Sequence, residues 1–132
     1  MKSLARRWWW SGTIWKNAIA RQWAELFRQW DVVLAPVIAT PAFPHDHSTD
    51  RRARRLQIDG ADHIYDDQVV WASLATLTGL PAAVAPIGRS DAGLPIGVQI
   101  IGPFLEDRTP VHVAGLIERE LGGFVPPPAF PA

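Results

Sequence analysis

The sequence predicts an α/β fold in which a partial mixed β-sheet is covered by helices. Three apolar runs of strand length, residues 32–38, 82–87 and 96–101, show no alternation between apolar and polar side chains. Such runs are typical of strands that are buried on both faces, so helices should cover the sheet above and below. Between these runs, apolar residues recur at helical spacing. The 132 residues suit one domain with a modest core.

The first predicted element is an amphipathic helix of about five turns over residues 15–30. Its apolar residues fall on one helical face: Trp15, Ile19, Trp23, Leu26, Phe27 and Trp30. The basic start of the chain loosely resembles a signal peptide, but Ser11, Gly12 and Thr13 interrupt the apolar stretch, which favours the helix. A Trp-rich helix with basic flanks could lie on a membrane surface. We expect its tryptophans to lie in the core instead, because a buried strand follows at once.

That strand, residues 32–38, should lose regular pairing at Pro36, which has no N–H to donate. Residues 39–62 then show no periodicity and are predicted as a loop. A loop of this length inside a compact domain is often functional. Because ligand sites in α/β folds lie beyond strand ends, we expect it to face the substrate, with Phe43 and Pro44 as substrate-binding residues.

A second helix is predicted between residues 65 and 78, with Gly79 just beyond its end. The strands 82–87 and 96–101 should be sequential and antiparallel, because residues 88–93 have the composition of a hairpin loop.

The last helix should begin with Thr109 as its N-cap residue and Pro110 at its first position. Val113, Ile117 and Leu121 would form its apolar seam, and Gly122 would end it.

Composition excludes several kinds of site. The chain has no cysteine, which removes disulfides, thiolate zinc sites and cysteine nucleophiles, and suits a reducing, cytoplasmic location. No apolar run approaches the roughly 18 residues of a membrane-spanning helix. Residues 1–60 hold ten Lys and Arg against five acids, and residues 61–132 hold three against eight. Since these halves attract each other, the basic half needs no nucleic acid as its partner.

Catalytic residues are not evident. The five serines lie outside any Gly-x-Ser-x-Gly turn, and the two lysines, Lys2 and Lys16, both lie near the N-terminus. No phosphate loop or dinucleotide fingerprint is present, so no cofactor is predicted.

One polar cluster holds possible metal ligands: His45, Asp46 and His47, with Asp62 and His63 further along. In an extended segment His45 and His47 would point to one side and Asp46 to the other. We therefore expect a loop-packing or solvated role and predict no metal site.

The arginine-rich run at residues 51–55 could contact phosphates. No aromatic residues interleave with it, so a solvated loop is favoured over a nucleic-acid site.

Four segments together resemble the amidase signature family. Residues 27–36 (FRQWDVVLAP), 78–88 (TGLPAAVAPIG) and 93–102 (GLPIGVQIIG) are similar to three blocks of that family, in its order and spacing. Asp107 followed by Ile117-Glu118 matches the family's ending. The resemblance covers residues 15–130. One departure is Thr76, where many members carry Asn.

The resemblance implies an α/β/α domain around a large mixed sheet, of which residues 1–132 would be an incomplete, C-terminal segment. Family members hydrolyse carboxamides with a Ser–cis-Ser–Lys triad that lies in the larger N-terminal part. No residue here matches a triad position, so none is assigned as catalytic. The chain is therefore expected to be inactive alone, with the N-terminal part of an amidase, or a second copy of itself, as partner.

A second interpretation stays open. The chain could be a small non-catalytic module that binds a partner or a membrane surface through its Trp-rich helix.

Overall fold

The computed structural model describes the backbone of residues 3–127 and the side chains of residues 14–127. Helices and strands alternate along the chain, which confirms the predicted α/β class. The helices are α1 (Ser3–Leu26), α2 (Val69–Thr76) and α3 (Arg108–Leu121); the strands are β1 (Val33–Pro36), β2 (Arg55–Ile58), β3 (Ala61–Ile64), β4 (Ala82–Arg89) and β5 (Pro95–Ile101). Short 3-10 helices at Arg51–Ala53 and Tyr65–Gln68 flank the β2–β3 pair.

A three-stranded antiparallel sheet in the order β1-β5-β4 forms the centre of the fold. Strand β5 is interior, with Ile100 paired to Leu34 on one side and to Ala83 on the other. The predicted antiparallel pairing of residues 82–87 with 96–101 is confirmed. A register shift between Pro86 and Gly88 bends β4. Pro86 has no main-chain N–H to donate to the neighbouring strand, so regular pairing is interrupted there.

Helices cover opposite faces of this sheet. On one face, α1 and α2 pack over β1 and β5, where Ile101 is fully buried among Ala35, Ala75 and Trp23. Helix α3 packs mainly on β4, and Pro110 at its start is fully buried. Because neighbouring residues of a strand point to opposite faces, Ile100 belongs to the side of the sheet away from Ile101.

The expected cover on both faces is incomplete at the two edge strands. Leu34, on the face opposite to Ile101, is 56% exposed, and Val84, on the same face as Ile101, is 59% exposed. Each edge strand is thus apolar on a face that no described helix covers. Within the described residues, the cover that such strands require is therefore complete only for the interior strand β5.

Part of the predicted 39–62 loop is instead a hairpin. Strands β2 and β3 pair through a two-residue turn at Asp59-Gly60, both with positive φ (51° and 78°). An Asp-Gly pair is the usual signal for such a turn. The strands escaped prediction because each is only four residues long and, of their eight residues, only Leu56 is buried.

The predicted bounds of α1 need correction. The helix begins at Ser3 and ends at Leu26, so Trp30 follows it. Trp23 packs on the core beside Phe27, with ring centroids 5.6 Å apart, but Trp15 and Trp30 are 71% and 63% exposed. The expectation that the tryptophans are core residues is therefore wrong for these two. The side chains of Trp8, Trp9 and Trp10 lie outside the described residues.

The start of α3 also differs from the prediction. The helix begins at Arg108, and Asp107 occupies the cap position without a side-chain hydrogen bond. Thr109, the predicted cap, is inside the first turn, and its hydroxyl donates to the Glu106 carboxylate at 3.3 Å. Gly79 and Gly122 end their helices as predicted, each with positive φ. None of the described helices is long and apolar enough to cross a bilayer.

Candidate functional site

An extended segment, residues 39–50, connects β1 to the first 3-10 helix, and we call it the strap. Its start is held by the Ala39 N–H, which donates to the Gln68 side-chain oxygen at 3.3 Å. Its far end is held by Arg54 Nη2, which donates to the Ser48 carbonyl oxygen at 2.9 Å. Pro41 and Pro44 within it cannot donate main-chain hydrogen bonds, which favours an extended course. The strap is therefore fixed at both ends by side chains from the following elements.

Phe43 and Pro44, the predicted substrate-binding residues, both line a groove of about 790 Å³. The strap forms one wall of this groove, and β2 together with the turn at residues 90–94 forms the other. The Phe43 ring meets Tyr65 edge to face, with ring centroids 6.0 Å apart. This contact, of a kind that stabilises by about 1 kcal/mol, holds Phe43 at the groove.

Three arginines of the 51–55 run are engaged within the protein. Arg51 Nε lies 2.6 Å from the Asp66 carboxylate, and Arg54 holds the strap. Arg55 Nη1 donates to the carbonyl oxygens of Arg52 and Arg54 at 2.8 and 3.0 Å. These side chains are thus tied to neighbouring backbone and to one acid, while most of the run stays exposed to solvent as a loop of this charge is expected to be.

The polar cluster at residues 45–47 has the geometry of a turn. The rings of His45 and His47 lie close, with centroids 5.7 Å apart. The Asp46 carboxylate accepts a hydrogen bond from the Ser48 N–H at 2.8 Å. Hydrogen bonds from Ser48, followed by the nearby charges of Arg54 and His47, lower the pKa of Asp46. Across residues 14–127, no three His, Asp or Glu side chains come together as a metal site would require.

The hydroxyl groups of Ser73 and Ser90 are hydrogen-bonded to main-chain groups. The Ser73 hydroxyl donates to the Val70 carbonyl oxygen at 2.7 Å, inside α2. Ser90 Oγ accepts the Leu94 N–H at 3.2 Å and closes the β4–β5 turn. Both contacts are ordinary for helix and turn serines. The residues around the groove therefore form a surface that could bind a ligand. Neither Ser73 nor Ser90 is arranged as an activated nucleophile.

Sequence reasoning singled out Phe43 and Pro44, which line the groove, but not the groups opposite them. Tyr65 reaches the strap only because the β2–β3 hairpin folds back on it, whereas Arg54 contacts Ser48, six residues earlier, across the short 3-10 helix. The Asp59-Gly60 turn was the one local signal from which this juxtaposition could have been inferred.

Comparison with known proteins agrees with this fold. The sequence profile of the family described as Amidase matches residues 2–110. The chain is 31% identical over 103 residues to the A-subunit of glutamyl-tRNA(Gln) amidotransferase from Bdellovibrio bacteriovorus, covering 78% of this chain and 19% of that protein. It is 37% identical over 110 residues to the corresponding protein of Rhizorhabdus wittichii, covering 83% and 20%. The chain thus spans about a fifth of the length of these relatives.

Solved structures give the same result. An amidase crystal structure superposes with a TM-score of 0.67 at 23% identity, covering 81% of this chain and 23% of that one. A chain from an inhibitor-bound vestigial protein complex, which bears on the origins of an s-triazine catabolic enzyme, gives 0.71 at 21% identity. That match covers 93% of this chain and 25% of the other. At these identities the likeness shows the fold alone.

Proposed function

The chain belongs to the amidase family, and we propose that it forms the C-terminal part of an amidase domain that hydrolyses carboxamides. The observation that carries this proposal is the family match over residues 2–110 in a chain that spans only about a fifth of its relatives. In this proposal, the Ser–cis-Ser–Lys triad is supplied by the larger N-terminal part of the domain.

The contribution of this chain would be structural and would include one wall of the substrate site. The hydroxyls of Ser73 and Ser90 are engaged with main-chain groups, which supports a role without a nucleophile. Phe43 and Pro44 line the groove beside the strap, which supports their assignment as substrate-binding residues. Cytoplasmic location is part of the same proposal, since the chain contains no cysteine.

The exposed apolar faces of the edge strands support a need for a partner. Leu34 and Val84 are both more than half exposed, on opposite faces of the sheet. In the described residues, β1 and β4 each pair on one edge only. Open strand edges and bare apolar faces attract other chains. The N-terminal part of an amidase is the partner we propose, with self-association as the outcome in its absence.

Reconstitution tests the proposal directly. The chain is produced together with the N-terminal part of a related amidase, cut just before the segment that matches residue 15, and the mixture is assayed on simple amides. We expect hydrolysis by the mixture and none above background by either piece. A variant in which Ile101→Asp disrupts the core should abolish activity, whereas Glu120→Gln, exposed on α3, should not. Turnover by the chain alone, lost on Ser73→Ala or Ser90→Ala, would overturn the proposal.

One observation favours a second candidate function. Trp15 and Trp30 are largely exposed, and the exposed Lys16, Arg21 and Arg28 lie along the same segment. Indole rings with basic neighbours are typical of segments that bind anionic membrane surfaces. Tight binding of the chain to anionic vesicles, with a blue shift in tryptophan fluorescence, would favour this non-catalytic role. The same vesicles without anionic lipid serve as the control.

A further inference from the structure

A second recess, with a volume of about 310 Å³, adjoins the groove and shares part of its lining, including Phe43 and Arg55. Its walls come from the strap, from β2 and from the 3-10 helix that follows β3. The residues relevant here are Phe43, Tyr65, His45, His47, Arg54 and Arg55. Two guanidinium groups and two aromatic rings therefore face one small volume.

The positive charge in this recess is only partly compensated, since Asp46 lies close enough to Arg54 for their charges to interact. Among residues 14–127, no carboxylate oxygen lies within 4 Å of the guanidinium group of Arg54 or Arg55. Arg54 is partly buried, and its Nε is buried with no hydrogen-bond acceptor. The one acid that lines the recess, Asp46, directs its carboxylate to the Ser48 N–H. Arg54 and Arg55 both line the recess, so an anion that entered it would be stabilised by charge-assisted hydrogen bonds.

The aromatic walls limit the shape of that anion. Phe43 and Tyr65 meet edge to face at an interplanar angle of 74°, and Leu56 behind them is buried. Flat apolar groups pack well against such walls. Guanidinium groups bind carboxylates through paired, charge-assisted hydrogen bonds, and they do so better than any neutral donor.

We propose that this recess binds a small aromatic or apolar carboxylate, with its charge on Arg54 and Arg55 and its flat body against Phe43 and Tyr65. Binding itself needs only the residues named here. The biological role of this binding rests on the proposed function. Amide hydrolysis breaks the C–N bond, adds water across it, and yields a carboxylate and an amine. The recess would then hold the acid product next to the substrate groove.

Ligand-observed saturation-transfer NMR tests this on the chain itself and tolerates self-association. The probes are benzoate, its uncharged analogue benzamide, and inorganic phosphate. We expect benzoate to bind about tenfold more tightly than benzamide, because only benzoate carries the charge. Phosphate at the same concentration should not displace benzoate, since it lacks the flat apolar body.

Arginine variants then locate the site. Arg54→Gln and Arg55→Gln should each weaken benzoate binding by about tenfold, whereas Arg119→Gln, exposed on α3, should not. Because Arg55 is exposed, we expect Arg55→Gln to fold normally. This variant therefore still tests the site if Arg54→Gln unfolds the strap. Equal binding of benzoate and benzamide, displacement by phosphate, or unchanged binding in both arginine variants would overturn the proposal. If benzoate binds here while reconstitution gives no hydrolysis, the proposed function fails and this site stands.

Discussion

The side-chain amide of Gln99 donates a 3.0 Å hydrogen bond to the main-chain carbonyl oxygen of Trp71. Gln99 lies on the interior strand between Ala35 and Val84 and is almost fully buried. Trp71 belongs to α2, so this bond fixes the helix to the centre of the sheet. It gives a physical reason for a polar residue in the otherwise apolar run at residues 96–101.

Replacing Gln99 with leucine should loosen α2. Leucine has a similar volume but no donor, so the hydrogen bond to Trp71 is lost at a cost of about 1 kcal/mol. We expect the amides of α2 to exchange with solvent about fivefold faster, as measured by hydrogen exchange. Gln22→Leu, at an exposed position on α1, is the matched control and should leave α2 unchanged. Equal protection in both variants would mean that α2 is held by packing alone.

A methyl group at Gly102 should clash with α3. A Cβ atom there would lie 2.6 Å from Cδ of Pro110, whose ring is fully buried and rigid. We expect Gly102→Ala to destabilise the chain by about 1–3 kcal/mol, seen as a lower urea midpoint. Gly115→Ala in α3 meets only the Arg119 guanidinium at 3.8 Å and should be neutral or slightly stabilising. A neutral Gly102→Ala would show that α3 can shift on the sheet.

The turn at Asp46 should respond only to acid. Its pKa is lowered from the ordinary 3.8, chiefly by the hydrogen bonds from Ser48. A carboxyl group whose pKa is lower in the folded than in the unfolded state stabilises the folded state at pH values above its unfolded-state pKa. That stabilisation is lost as the pH falls through its folded-state pKa. We expect the Ser48 amide NMR shift to show an acid titration with a midpoint below 3.8. Asp46→Asn should remove the change, and a midpoint above 4 in the wild type would contradict the hydrogen-bonded carboxylate.

Phe43 should influence which amides are hydrolysed. In the reconstituted enzyme, Phe43→Ala removes the ring that lines the groove and contacts Tyr65. We expect the ratio of kcat/KM for bulky aryl amides to that for acetamide to fall about tenfold, because the aryl group loses its wall. Phe124→Ala, an exposed phenylalanine beyond α3, is the control and should leave the ratio unchanged. An unchanged ratio in Phe43→Ala would place the substrate elsewhere.

The sequence allowed the three strands of the main sheet to be predicted because continuous apolar runs bounded by Gly and Pro are distinctive. The same logic failed for β2 and β3, since four-residue strands with charged side chains have no such pattern. Periodicity placed Trp15 and Trp23 on one helical face, but it carries no information on how far the sheet extends beneath that face. As a result only Trp23 packs on the core.

The site was predictable only in part for a similar reason. Phe43 and Pro44 could be proposed as substrate-binding residues because they follow a strand end. Tyr65 lies well beyond the strap in the chain and reaches Phe43 through the fold of the hairpin, so its role depends on a distance that no local pattern encodes. Arg54 lies nearer, and its bond to Ser48 depends on the 3-10 helix, which has no periodicity to predict it.

The central claim is that this chain is one part of an amidase domain and needs the remainder to cover its sheet. Light scattering on the chain of 132 residues, alone and mixed with the N-terminal part of a related amidase, tests it most directly. We predict self-association of the chain alone and a monodisperse one-to-one complex in the mixture, with Leu34 and Val84 protected. A monodisperse monomer that ignores the added part, with strongly protected strands, would contradict the claim and favour an independent module.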